Sequence, residues 1–298
     1  MTGSAGVVAV LLAAVLFGTT GTAQALGPDA TTPLGVGAAR LAVGGLALLA
    51  ILPLVGGRRR SALGLWRTPV GLAAGVCTAL YQVSFFAAVQ QTGVAVGTLV
   101  ALGSGPVLAG LLGRLILGER PDRVWMTATV VCILGLALLV GGGDQQVDPV
   151  GVALAVVAGL SYAGYTVLTK WQLGAGHHPA TVMAAAFGLG GLLLVPVLAA
   201  QRPTWLLQPQ GAALALYLGV VTITLGYLLF VRGLAVLPAG PVTTLMLAEP
   251  VVATVLGVAV LGERLGVSGV SGVVLLLIGL LAQGRGLRPV APKPPSRT

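Results

Sequence analysis

Charge is the scarcest ingredient of this sequence. Only 8% of its 298 residues are Asp, Glu, Lys or Arg, against roughly 25% in a soluble domain of average composition. So few charges cannot coat a water-exposed surface, so lipid must be the solvent for most of the exterior. Aromatic residues are few as well, at 5%. That scarcity argues against reading the formal charge of +9 as a nucleic-acid footprint, which needs clustered basic residues and stacking rings. The basic residues stand instead at the ends of apolar runs, and no nucleic-acid partner is expected. The two cysteines, Cys77 and Cys132, lie inside apolar runs without metal-ligand spacing, so they read as small packing residues. His177 and His178 have no Cys or carboxylate beside them and read as solvated loop residues. No metal or cofactor is expected. The run Gly141 to Gly143 follows no strand and lacks the Lys and Ser/Thr of a phosphate loop. A Ser/His pair, an HExxH motif and a paired acidic site are all missing from the apolar segments, which gives no basis for an enzyme.

What the chain has in abundance is apolar sequence, 56% of it. A bilayer core needs about 20 apolar residues per helix. Ten segments meet that length: 5–25, 33–55, 69–91, 94–117, 123–141, 150–171, 179–200, 210–232, 236–261 and 266–284. The predicted fold is all-α, a polytopic membrane protein of ten helices. Turn and charge clusters separate the spans, such as Gly27-Pro28-Asp29, Gly56 to Arg60 and Gly118 to Asp122. Thr92-Gly93 is the thinnest of these breaks. The first apolar run has no basic n-region before it and no clear cleavage site after it, so it reads as a retained span. Glycine pairs such as Gly71 with Gly75 and Gly269 with Gly272 suit close helix packing. Trp66, Trp125, Trp171 and Trp205 fall at span ends, where interfacial belt residues are expected.

The halves of the chain repeat each other. Leu117-Gly118-Glu119-Arg120 returns as Leu261-Gly262-Glu263-Arg264, an offset of 144 residues (117 to 261). Upstream, Ala95, Pro106, Val107, Ala109, Leu112 and Gly113 return as Ala239, Pro250, Val251, Ala253, Leu256 and Gly257, and downstream Gly135 pairs with Gly279. Residues 5–141 and 150–284 therefore read as two five-helix repeats, with 285–298 a basic, Pro-containing disordered tail. One set of alternating loops holds the N-terminus, Arg58 to Arg60, Arg67, Arg120, Arg123, Lys170, Arg232 and the tail. The other holds Asp29, Asp144, Asp148, Arg202, Glu263 and Arg264. The Lys/Arg bias makes the first face cytoplasmic, with both termini inside a plasma membrane of the bacterial inner-membrane type. An odd number of spans per half inverts the second half relative to the first. Inverted-topology repeats mark secondary transporters, whose substrates bind near the midplane between the halves.

At this point the chain resembles the drug/metabolite transporter superfamily, in its EamA branch. The ten-span doubled plan, the Pro to Leu-Gly-Glu segment in spans four and nine, and Glu249-Pro250 carry the resemblance over about residues 5–284. Arg40 is similar to a recurrent Arg of that family, and Phe17-Gly18 stands where Trp-Gly often occurs. The first copy has Gly105-Pro106 where the second has Glu249-Pro250, so the halves are not equivalent. The resemblance implies a carrier of amino acids and related small polar metabolites, usually outward, working by alternating access. Some relatives move drugs, which makes a multidrug or toxic-compound exporter an alternative. Others exchange nucleotide sugars or sugar phosphates, which would need more deep basic residues than Arg40. A non-transporting membrane scaffold is the remaining alternative. The partners implied are a small-molecule substrate and the lipid bilayer. The duplicated chain supplies both halves, which favours a monomer.

Candidate site residues follow from depth. Arg40 and Glu249 lie inside spans, where an ionisable group costs about 2.5–3.5 kcal/mol on insertion scales and so turns to the bundle interior. Glu249 reads either as a site acid or as a structural group meeting backbone freed by Pro250. Arg40 reads either as a carboxylate ligand or as a snorkelling residue. Thr20, Tyr81, Gln82, Ser104, Tyr162, Tyr165, Tyr227 and Thr244 complete the candidate substrate set. Tyr normally prefers the interface, so four tyrosines at mid-depth suggest a lined cavity, although helix-to-helix hydrogen bonds account for each singly. Pro106 and Pro250 are candidate hinges.

Overall fold

The computed structural model describes residues 2–29, 31–141 and 148–286. Asp144, Gly142, Gly143 and all but the first two residues of the predicted tail lie outside the described residues. Arg285 and Gly286, assigned to the tail from sequence, belong to the last helix.

Among the described residues, nine helical stretches are long and apolar enough to cross a membrane: Gly3–Ala25, Pro33–Val55, Pro69–Leu117, Arg123–Val140, Pro149–Gly174, Pro179–Ala200, Pro209–Val236, Ala239–Leu261 and Val267–Gly286. The stretch Pro69–Leu117 has 49 residues. At about 1.5 Å per residue it would be more than twice a bilayer core of about 30 Å. It is two spans reversed at Gly93, whose φ of 78° and ψ of 162° leave helical space. A Cβ is strongly disfavoured at that φ, so glycine makes the turn. Counting the two arms separately gives ten spans, numbered one to ten in chain order.

Repeated local chemistry sets the starts. Thr32, Thr68 and Asp148 each accept a hydrogen bond from the first turn of their helix, and each is followed by a proline at the first helical position. That proline needs no N–H there, and its ring presets the helical φ. The repeated Leu-Gly-Glu-Arg is a helix stop. Gly118 and Gly262 take left-handed φ values of 68° and 72°. The N–H groups of Glu119 and Glu263 turn back to the carbonyls of Gly113 and Gly257, each at 3.1 Å. Satisfying terminal carbonyls with a left-handed glycine is what such caps do.

Contacts sort the loops onto two faces. On one, Gly57 approaches Thr181 and Glu119 meets Ala239. On the other, Thr32 bonds Gln201 at 2.9 Å and Gly151 packs on Thr92. Arg58, Arg60, Arg120, Arg123 and Lys170 belong to the first, which is called the basic face below.

The halves are related by an approximate two-fold axis. Span one packs on spans eight and nine, and span six packs on spans three and four. Spans two and seven face each other, as do spans five and ten. At the five–ten seam, Gly135 lies against the Leu276 N–H and the Gly272 carbonyl, while Gly279 lies against Cys132 Sγ and the Ala128 carbonyl. All three pairs (135 and 279, 132 and 276, 128 and 272) are related by the repeat offset. A self-complementary patch is what two-fold symmetry demands of an interface. Small residues there let the backbones touch, which is how helices associate in lipid. Cys132 is fully buried in this seam, as a packing residue.

Candidate functional site

Two irregular helices come from the second half. Span eight is α-helical over Pro209–Leu216, widens to a π-helix over Tyr217–Leu225, and returns to α over Gly226–Val236. Span nine is interrupted between Ala239–Leu245 and Ala248–Leu261. Pro250 removes one backbone bond at the interruption. It has no N–H, and its ring excludes the carbonyl four residues back, that of Met246. The freed Met246 carbonyl instead accepts the Glu249 N–H at 2.9 Å, and Leu247 N–H bonds Thr244 at 3.0 Å. The result is a fresh helix start carrying Glu249 in its first turn. Span four, with Pro106 at the equivalent position, stays helical from Val94 onward.

Around this break lies a partly enclosed cavity. Its walls are Phe17, Arg40, Tyr81, Leu102, Tyr162, Ile223, Tyr227, Thr243, Met246, Leu247 and Glu249. The aromatic rings are continuous: Tyr81 to Tyr162 at 5.9 Å between centroids, Tyr162 to Tyr165 at 5.4 Å, Tyr165 to Tyr227 at 6.1 Å and Tyr227 to Phe17 at 4.7 Å. Arg40 donates through Nη2 to Gln82 Oε1 at 3.1 Å, and Gln82 donates to the Gly37 carbonyl at 3.2 Å. Arg40 Nε is buried with no protein partner. The cavity thus carries one cation and one acid on an aromatic frame.

Of the residues expected from sequence, Arg40, Tyr81, Tyr162, Tyr227 and Glu249 are brought together in this wall. Arg40 faces the cavity and is held by Gln82. Others sit elsewhere. Gln82 is 2% exposed and stands behind Arg40. Tyr165 is buried behind the wall, its hydroxyl donating to that of Tyr227 at 3.2 Å. Ser104 bonds the Ala101 carbonyl at 3.3 Å and lies against Gly159, where spans four and six cross. Thr244 is buried in a network with Trp125 Nε1 at 3.1 Å and Thr129 Oγ1 at 2.8 Å. Thr20 is half-buried in span one and does not line the cavity. Trp125 and Trp205, expected in an interfacial belt, are buried packing residues instead. Phe17, Leu102, Ile223, Met246 and Leu247 were not singled out for the wall from sequence, because an apolar residue in an apolar span carries no signal.

On the basic face, charged side chains bridge neighbouring spans. Glu119 accepts the Ala239 N–H through Oε2 at 2.9 Å. Burial pushes the Glu119 carboxyl up, and the Ala239 N–H and the nearby Lys170 charge offset only part of that rise. Lys170 Nζ donates to the carbonyls of Leu234 and Leu237, both at 2.6 Å.

A crystal structure superposes on this fold with a TM-score of 0.80, covering 95% of this chain and 96% of the other at 18% identity. The model of the EamA-like transporter family matches residues 4–141 and again 149–283. The chain belongs to that family. Among curated relatives, it is 41% identical to the transporter YwfM of Bacillus subtilis, over 91% of each chain. It is 34% identical to the threonine/homoserine exporter RhtA of Escherichia coli K12, over 87% of this chain and 84% of that one. This EamA-like protein is therefore a multi-pass membrane protein of a transporter family.

Proposed function

We propose that the chain exports zwitterionic amino acids across the plasma membrane by alternating access, with the basic face and both termini cytoplasmic. One observation carries the reading. Arg40 and Glu249 line the same aromatic cavity, yet Arg40 gives its Nη2 to Gln82 and keeps a buried Nε without a partner. An amino acid supplies the missing charges in one molecule. Its carboxylate meets the guanidinium, its ammonium meets Glu249 beneath the tyrosine faces, and both contacts gain strength away from water. The name of the RhtA relative, a threonine/homoserine exporter, points the same way. The excess of Lys and Arg on one face supports the orientation. A nucleotide sugar would need more cationic side chains than Arg40 offers in this wall.

The test is flux into liposomes holding the purified protein, screened over neutral amino acids, their decarboxylated amines and organic cations. The expected result is uptake of amino acids carrying both charges. Arg40→Gln and Glu249→Gln should each reduce it about 10- to 100-fold, since a hydrogen bond to a charged group is worth about 1.5–3 kcal/mol. Preference for the amines or cations would overturn the reading in favour of drug export, and no flux of any class would favour a scaffold.

A further inference from the structure

Lys170 lies outside the cavity, yet its two bonds have a specific cause. In a helix the carbonyl of residue 234 would accept from the N–H of residue 238, and that of 237 from 241. Both acceptor-seeking positions are prolines, Pro238 and Pro241, which have no N–H. Two carbonyls at the end of span eight are thereby left without backbone partners, in a turn whose Leu237 is fully buried. Orphaned buried carbonyls are costly. Lys170, on span six, reaches across and serves both. Beside it, Glu119 from the end of span four accepts the first N–H of span nine. Spans four and six are thus tied by charged side chains to the turn that joins spans eight and nine.

The inverted half repeats the scaffold of this arrangement without its chemistry. Offset by the repeat, Lys170 corresponds to Leu26, Pro238 to Val94 and Pro241 to Gly97. Glu119 corresponds to Glu263, which lies against Gly257 as Glu119 lies against Gly113 but is exposed where Glu119 is half-buried. Ala95, the counterpart of Ala239, makes no recorded hydrogen bond to Glu263 among the described residues. The tie exists on one face only.

We propose that Lys170 and Glu119 form a one-sided latch that holds the basic-face gate closed over the turn Leu237-Pro238-Ala239, so that its release is the step admitting substrate from that face. The inference rests on the transporter reading. It makes Lys170 and Glu119 gating residues that never touch substrate. A latch on one face skews the equilibrium between the two facing states, because a contact made in only one state favours that state alone. A cap that merely satisfied carbonyls would stabilise both states alike.

The distinguishing measurement is amide hydrogen exchange on the purified full-length protein in lipid nanodiscs, without substrate, for the wild type, Lys170→Met and Glu119→Gln. The expected result for Lys170→Met is faster exchange across residues 234–243 by about tenfold, the order expected from losing charge-assisted hydrogen bonds at a locally opening segment. Residues 92–97 and 262–266 on the opposite face should exchange more slowly in the same sample, since opening one side closes the other. Glu119→Gln retains an oxygen acceptor for Ala239 but loses the charge beside Lys170, and should show the same pattern, weaker. Lys170→Arg, which keeps the donors, should resemble the wild type. Faster exchange at 234–243 with the opposite face unchanged or also faster would overturn the latch in favour of a structural cap, as would unchanged exchange at 234–243 in a folded variant. If Lys170→Met does not fold, the Glu119→Gln pattern decides alone. This readout uses no substrate, so failure of the amino-acid reading in liposomes would leave it standing.

Discussion

Two helix crossings flank the cavity, and they solve one packing problem in opposite ways. In the first half's span four, Gly105 lies beneath the Tyr162 ring of span six, where a Cβ would come within 2.9 Å of Tyr162 Cδ1. In the second half's span nine, the position equivalent to Gly105 is Glu249, and the position equivalent to Tyr162 is Gly18 of span one. Gly18 is small for the matching reason: a Cβ there would lie 2.9 Å from the Glu249 carbonyl oxygen and 2.6 Å from Val252 Cβ. Large over small on one side becomes small under large on the other. Duplication supplied two identical crossings, and this exchange of sizes let one become an aromatic wall while the other received an acid.

The sharpest way to probe this comparison is to add one methyl to each glycine. Gly18→Ala should lower stability by about 2–3 kcal/mol, because the obstacle includes backbone and a β-branched side chain in a filled contact. Gly105→Ala should cost less than about 1 kcal/mol, because a tyrosine ring can tilt aside. Thermal unfolding in detergent, with both variants side by side, reads the difference, and equal losses would show that the crossings are packed alike. Next in size is the support for the cation. Gln82→Leu leaves Arg40 and the Gly37 carbonyl without their partner, so the apparent KM for an amino acid should rise about tenfold, the equivalent of about 1.4 kcal/mol, with a smaller change in maximal flux. A change confined to maximal flux would mean that Gln82 does not aim Arg40. The smallest effect separates the prolines. Pro250→Ala restores an N–H that can reclaim the Met246 carbonyl and straighten span nine, moving Glu249, and flux should fall about threefold. Pro106→Ala, in a span that stays helical, should leave flux unchanged. Equal effects would remove the distinction between a broken and an unbroken copy.

Much of this architecture was legible because its punctuation is chemical. Thr-Pro and Asp-Pro starts mark spans two, three and six, and Leu-Gly-Glu stops mark the ends of spans four and nine, within a few residues. The turn at Gly93 was legible only as a weak break, since one glycine between apolar residues supplies it. The start of span nine was placed too early, because Val236-Leu237-Pro238 is an apolar turn whose polarity is supplied by Lys170 from another helix. At the site, depth identified the charges and three tyrosines of the wall. It could not separate Tyr81 from Gln82, neighbours in sequence of which one faces the cavity and the other stands behind Arg40. Nor did sequence flag the π-helix of Tyr217–Leu225, which contains no proline and packs against spans one and two.

The seam between spans five and ten carries a consequence for ancestry. Ala128, Cys132 and Gly135 meet Gly272, Leu276 and Gly279, the same three positions upside down. A half-length chain bearing one such patch could have met an inverted copy of itself in the bilayer, before any linker joined the two. In such a dimer every substitution would have landed on both sides of the axis at once. Fusion removed that constraint, and Cys132 facing Leu276 shows the two sides diverging since.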